Sequence, residues 1–260
     1  MTERVPIPGK FVWFELVTRD PRTKERAQAF YGEVLGWKTT PFPMGSGSYD
    51  MIFLGDSMIG GYAPDANCPR AHWTSYISVA DVDGAVKTAL ANGGTIVTPA
   101  ADVPQAGRRA QIADPQGAVL GLFKHVRGDE PDHEPPPGGW LWCELHTPDP
   151  PQALTFYSKV VGFQHRTMDM GPAGAYHILS QSDRDRGGVT PHLPPGVPPH
   201  WLPYVFVTDT DATMARVQKL GGKILMALET VPGVGRMGVF EDPTGAALAM
   251  LTPAPSEKKR

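Results

Sequence analysis

The chain has 260 residues, with 24 Lys and Arg against 27 Asp and Glu and a net charge of −3. A hydrophobic fraction of 41% at so small a net charge belongs to a globular chain and excludes disorder. No basic excess exists to neutralise nucleic-acid phosphates or anionic lipid, so neither nucleic acid nor membrane is expected as a partner.

At roughly 100–200 residues per domain, the length allows two domains. No run approaches the ~20 apolar residues of a membrane helix, and Met1–Lys10 lacks the apolar core of a signal peptide, so a cytoplasmic protein is expected. Cys68 and Cys143 have no second Cys nearby, which argues against a disulfide framework or a metal clip. No phosphate-binding Gly-rich loop opens a helix, and no Gly-x-Ser-x-Gly elbow is present.

In chain order, Phe11–Val17 reads as an apolar strand. Asp20–Tyr31 reads as a helix with Asp20 as cap, Ala27, Phe30 and Tyr31 on one face, and Gly36 closing it. A Gly/Pro-rich stretch, Pro41–Ser48, reads as a loop before strands Tyr49–Leu54 and Ser57–Tyr62. Strand Thr74–Val79 leads through Asp81 into helix Gly84–Ala91, ended by Gly93-Gly94, with strands Thr95–Pro99, Ala110–Ala113 and Val119–Phe123 behind it. Farther on, Pro150–Val160 and Asp211–Leu220 read as helices and Met168–Gly174 as a second loop.

The chain repeats itself. Trp13-Phe14-Glu15-Leu16 returns as Trp142-Cys143-Glu144-Leu145, Phe30-Tyr31 as Phe156-Tyr157, His72-Trp73 as His200-Trp201, and Asp114-Pro115-Gln116-Gly117 as Asp242-Pro243-Thr244-Gly245. Matched blocks in one order mean two copies of one domain, at 8–126 and 140–254. The seam between them, 127–139, is acidic, carries three consecutive prolines and reads as a semi-rigid solvated linker. Each copy divides into two βαβββ modules, giving an α+β protein of four modules.

The Phe-Tyr pairs ahead of a Leu/Val-Gly-aromatic segment, the apolar strands before Asp81 and Asp209, and the Asp-Pro-x-Gly turns at Asp114 and Asp242 resemble the vicinal oxygen chelate superfamily. That family includes glyoxalase I, the bleomycin-resistance proteins and the extradiol dioxygenases. The resemblance implies two glyoxalase-like domains, each with a U-shaped, mostly antiparallel sheet around a cavity. Its metal-dependent members hold a divalent ion with two His and one Glu. The matching positions here are Trp13, Thr74 and Gly121 in the first copy and Trp142, Leu202 and Ala249 in the second. Since neither set holds an imidazole or a carboxylate, no cofactor is expected. The remaining donors for an ion are His72 and His200, sharing strand faces with Glu15 and Glu144, and they leave a divalent metal open.

A carboxylate inside an apolar strand costs several kcal/mol unless it is partnered, so Glu15 and Glu144 need partners. Arg108 and Arg236, at matching places in the two copies, are the expected ones. Each Glu could then be half of a structural ion pair, a polar anchor for a ligand, or a general base. Trp13 and Trp142 would line an apolar, stacking wall, with Thr74 beside it and the Tyr49 and Tyr176 hydroxyls at the mouth. His72 and His200 are expected to pack on Trp73 and Trp201, while Phe30, Tyr31, Phe156 and Tyr157 read as core, and Asp114 and Asp242 as turn residues. The reading that follows is a protein that binds a small, partly aromatic or apolar organic molecule without the usual metal. The alternative is a lyase, isomerase or dioxygenase-like enzyme using Glu15 or Glu144 as base. Because duplication builds the paired assembly within one chain, a monomer is expected ahead of a homodimer.

Overall fold

A computed structural model describes residues 4–44, 47–171 and 174–255. The first half runs β1 (Phe11–Thr18), α1 (Pro21–Leu35), β2 (Lys38–Met44), β3 (Gly47–Leu54), β4 (Ser57–Pro64), β5 (His72–Ser78), α2 (Val82–Ala91), β6 (Thr95–Val103), β7 (Gly107–Ala113) and β8 (Val119–His125). The second half repeats this as β9 (Trp140–His146), α3 (Pro150–Val160), β10 (Gln164–Asp169), β11 (Ala175–Gln181), β12 (Arg184–Thr190), β13 (His200–Phe206), α4 (Thr210–Lys219), β14 (Lys223–Val231), β15 (Gly235–Glu241) and β16 (Ala247–Pro253). The strands form two eight-stranded sheets, ordered β2-β3-β4-β1-β5-β8-β7-β6 and β10-β11-β12-β9-β13-β16-β15-β14. Each sheet holds two βαβββ modules, and the first strand of each module runs parallel to the last: β1 to β4, β5 to β8, β9 to β12, β13 to β16.

Local chemistry sets the boundaries. The Asp20 carboxylate accepts from Thr23 N at 2.8 Å and caps α1, with Pro21 at its first position; Gly36 ends it at φ 72°, a conformation costly for any residue with a Cβ. The stretch expected to be a loop, Pro41–Ser48, is instead largely strand. β2 lies at the sheet edge with Phe42 opposite Tyr49, and Pro41 and Pro43 are tolerated because the outer side of an edge strand needs no N–H donor. β10 likewise takes up the start of the second expected loop. Residues 45–46 and 172–173 of those two loops lie outside the described residues.

Packing divides the chain into two compact units. One comprises Met1–Trp13, Thr74–Asp132 and Trp142–Leu202; the other comprises Phe14–Trp73, His133–Leu141 and Pro203–Arg260. The core of the first is built from Ile77, Val82, Leu120, Leu145, Phe156 and Tyr157 with their neighbours. Within it, the Trp201 indole N–H donates to the Tyr157 hydroxyl at 3.0 Å, and that hydroxyl donates to Asp114 Oδ2 at 3.2 Å. Asp114 Oδ1 accepts from the backbone of Gln116 and Ala118, so the turn role holds and a core tyrosine is tied to it. Asp129, expected in a solvated linker, is buried and accepts from Ser78 Oγ at 2.5 Å and Ile7 N at 2.6 Å.

The second unit is organised around aromatics. Phe14 stacks on Trp140 at 4.0 Å between ring centres, and Trp37 and Trp73 close around the same indole. Every one of these indole N–H groups has an acceptor: Gly138 O for Trp37, Ile59 O for Trp140 and the Tyr31 hydroxyl for Trp73. Asp242 Oδ1 accepts from the backbone of Thr244, Gly245 and Ala246, matching Asp114. Phe30, Tyr31, Phe156 and Tyr157 are all buried core.

Removing the Tyr157 hydroxyl strands a buried indole N–H and a carboxylate oxygen. Tyr157→Phe should therefore cost about 1–3 kcal/mol, a drop of several degrees in Tm by calorimetry.

Candidate functional site

Glu15 sits on β1 directly opposite Gly61 of β4. A Cβ at Gly61 would overlap the Tyr49 hydroxyl, and that missing side chain is what lets Tyr49 lie across β4 from β3. Its hydroxyl donates to Glu15 Oε1 at 2.9 Å, so a buried carboxylate is met by a neutral donor two strands away. The second copy rebuilds the device: Glu144 faces Gly188, and a Cβ there would overlap the Tyr176 hydroxyl. Tyr176 hydrogen-bonds Glu144 and accepts from the Trp142 indole N–H at 2.9 Å. Burial, and next the Glu144 charge, push its ionisation far above the usual phenol range.

The second copy adds a further group. His146, two residues past Glu144 on β9, has Val17 as its counterpart in the first copy. Its Nε2 lies 2.9 Å from Glu144 Oε1, and its Nδ1 is 2.6 Å from the His192 carbonyl. The Nε2 contact is a close ion-pair approach, but it lacks the alignment of a hydrogen bond, so the buried nitrogen is held by charge and not by a directed bond. The His146 ring stacks on His200 at 5.0 Å and 3°, and His200 Nδ1 lies 2.9 Å from Pro198 O. Burial would lower the His146 pKa, but the Glu144 carboxylate and the His192 carbonyl outweigh it and raise it. Burial is the main cause of the lowered pKa of His200, with His146 adding to it.

The other expected site residues fall elsewhere. Arg108 does not pair with Glu15: its guanidinium grips Asp83 with Nε at 2.6 Å and Nη2 at 2.8 Å, and Asp102 with Nη1 at 2.9 Å. Arg236 grips Asp211 in the same way, at 2.5 and 2.7 Å. Each Arg opens a hairpin beside the acidic first turn of a helix, where a bidentate pair forms in water without the desolvation cost of a buried one. His72 opens β5 exposed to solvent, its Nδ1 3.2 Å from Arg70 O and 3.6 Å from Cys68 Sγ, and His200 stacks on His146 rather than on Trp201. Trp13 is half-buried on β1 and Thr74 is buried on β5. Burial raises the thiol pKa of both Cys68 and Cys143, the opposite of an activated nucleophile. His192, which orients His146, carries no sequence signal because it contributes only its backbone.

The positions at which related folds bind a metal do not fit one here. At Gly121 the Tyr76 ring occupies the space a ligand side chain would need, and Leu202 and Ala249 are buried apolar residues. Among the described residues no group of three or more His, Cys, Asp and Glu side chains is placed to hold an ion.

A family model described as the Glyoxalase/Bleomycin resistance protein/Dioxygenase superfamily matches residues 139–250, and one described as Bleomycin resistance protein-like N-terminal matches residues 10–52. The Mycobacterium bovis protein named "Putative glyoxylase CFP32" is 36% identical over 251 residues, covering 94% of this chain and 95% of its own. "Anthracycline biosynthesis protein DauV" of Streptomyces sp. strain C5 is 28% identical over 265 residues, covering 94% and 93%. Two solved structures share the fold. The Mn(II)-bound glyoxalase from Novosphingobium aromaticivorans has a TM-score of 0.63 at 17% identity, covering 94% of this chain and 82% of its own. The 2,2',3-trihydroxybiphenyl 1,2-dioxygenase from Sphingomonas wittichii strain RW1 has a TM-score of 0.64 at 16% identity, covering 95% and 91%. No helix among the described residues is long and apolar enough to cross a membrane.

A histidine whose folded pKa is raised stabilises the fold below its unfolded pKa of about 6.5, and that contribution fades as pH rises through the folded value. Chemical denaturation should therefore find His146→Gln less stable than the parent by about 1–2 kcal/mol in mild acid. The gap should narrow steadily in alkali. A gap that widens with pH would contradict the assignment.

Proposed function

Because the chain belongs to the glyoxalase/bleomycin resistance/dioxygenase superfamily, we propose that it binds a small organic molecule without the superfamily's His/His/Glu metal set. The polar anchors are the two buried carboxylates, Glu15 and Glu144. One observation carries this reading: each copy keeps a glutamate in the middle of an apolar strand together with the glycine that lets a tyrosine reach it. A carboxylate retained twice at such cost, and hydrogen-bonded in each copy to a phenol, suits an anchor for a ligand hydroxyl or N–H, since its two oxygens offer about four lone-pair sites.

Trp142 and Tyr176 in the second copy, and Tyr49 in the first, supply aromatic surface for a flat or apolar ligand body. Arg108 and Arg236 are engaged by surface aspartates. The relative named for anthracycline biosynthesis and the dioxygenase named for a trihydroxybiphenyl support a hydroxylated aromatic as the ligand class.

The naphthol 2-naphthol, whose fluorescence reports its surroundings, tests this in chelator-treated protein. It should bind without added metal, and Glu15→Gln with Glu144→Gln should weaken binding about tenfold or more, the worth of a charge-assisted hydrogen bond. Binding that appears only on adding a divalent ion, or that is indifferent to both substitutions, would contradict the proposal.

A further inference from the structure

β10 and β11 form the outer hairpin of the second sheet, paired antiparallel with Thr167 directly opposite His177 and His165 opposite Leu179. Alternation along each strand puts these four side chains on one face of the hairpin. Leu179 is buried, whereas His165 and Thr167 are exposed and His177 is half-buried, so two imidazoles stand at the solvent edge of that face. Their ring centres are 6.1 Å apart, with the ring planes inclined at 79°.

Thr167 Oγ1 lies 2.9 Å from His177 Nδ1. With Nδ1 protonated and donating to that hydroxyl, the lone pair is on Nε2, the tautomer a metal ligand needs, and the hydroxyl holds the ring as outer partners of ligating histidines do. When each nitrogen is about 2.1 Å from a shared ion, two imidazole ring centres stand roughly 4.5–6.5 Å apart. The observed separation lies at the open end of that range, and an exposed side chain such as His165 exchanges rotamers fast enough to close it onto an ion. In the first copy Thr39 and Asp50 occupy the same register positions, and Asp50 is engaged from α1 by Lys24 at 2.5 Å and Gln28 at 3.1 Å. The matching positions of α3 are Pro150 and Leu154, whose side chains carry no polar atom, so the helix gives His177 no such partner.

We propose that His165 and His177 form a transition-metal site on the outer hairpin of the second copy, with Thr167 as a positioning residue. Two neutral imidazoles suit Cu²⁺ above Ni²⁺ and Zn²⁺, and they leave Mg²⁺ unbound because that ion takes oxygen ligands. Since no group of three or more His, Cys, Asp and Glu is placed to hold an ion among the described residues, water fills the remaining positions. An ion held there ties β10 to β11 and stabilises the folded chain, because the unfolded chain does not keep the two rings together. His177 follows Tyr176 along β11 and so points to the opposite face of the sheet from the hydroxyl that meets Glu144. The metal site therefore stands independently of the ligand-binding reading above.

Calorimetric titration of the untagged, chelator-treated chain tests this. One equivalent of Cu²⁺ should bind, more tightly than Ni²⁺ or Zn²⁺, and Mg²⁺ should give no heat. His165→Ala and His177→Ala should each weaken Cu²⁺ binding about tenfold or more, and Thr167→Val, which leaves both ligands in place, about tenfold. The electron paramagnetic resonance of bound Cu²⁺ should show coupling to two nitrogens in the parent and to one in either histidine variant. Zn²⁺ should raise the Tm of the parent by a few degrees and leave that of the double variant unmoved. Circular dichroism of the metal-free variants should match the parent, which assigns the loss to the site and not to the fold. Unchanged Cu²⁺ affinity in both single variants, or two coupled nitrogens that persist when both histidines are replaced, would overturn the proposal.

Discussion

A carboxylate in the centre of a β-sheet sets the terms for everything around it. Glu15 and Glu144 lie on strands whose neighbours are Trp, Phe, Leu and Cys, where an unpaired charge costs several kcal/mol. A glycine on the adjacent strand leaves a gap through which a tyrosine from one strand farther out delivers its hydroxyl. The arginines that could have paired stay at the surface in bidentate contacts with Asp83 and Asp211, where desolvation costs little.

This arrangement bears on the chemistry available. Where metal-dependent relatives of the fold concentrate ligands, this chain has indoles, a threonine, a glycine under a tyrosine ring and two buried apolar residues. Each copy instead sets a glutamate against a phenol, and burial with the Glu144 charge pushes the ionisation of Tyr176 far up. The second copy adds His146 beside its glutamate, where the first has Val17.

Much of the fold was legible because it rests on local signals. Asp20 with Pro21, Gly36, and the two Asp-Pro-x-Gly turns are read from a few adjacent residues, and the internal repeat doubled each of them. The end of β2 and the last two residues of β10 fall in stretches that prolines and glycines mark as loops, and only sheet order reveals that β2 lies at an edge where a proline is tolerated. In the site, the buried glutamates followed from an apolar pattern broken by one charge. Their partners did not, because the Tyr49–Gly61–Glu15 bridge joins residues from three strands. The Glu144–His146 contact follows from the two-residue alternation of a strand, whereas its orienting carbonyl at His192 depends on a loop path that no periodicity encodes.

Carbon-13 spectra of the glutamate side-chain carboxyls in chelator-treated protein test the central claim most directly, since they watch the two anchors themselves. The account predicts that adding 2-naphthol moves the Glu15 and Glu144 resonances and leaves the surface glutamates in place. A bound ligand that leaves both resonances still, or moves them only after a divalent ion is supplied, would contradict it.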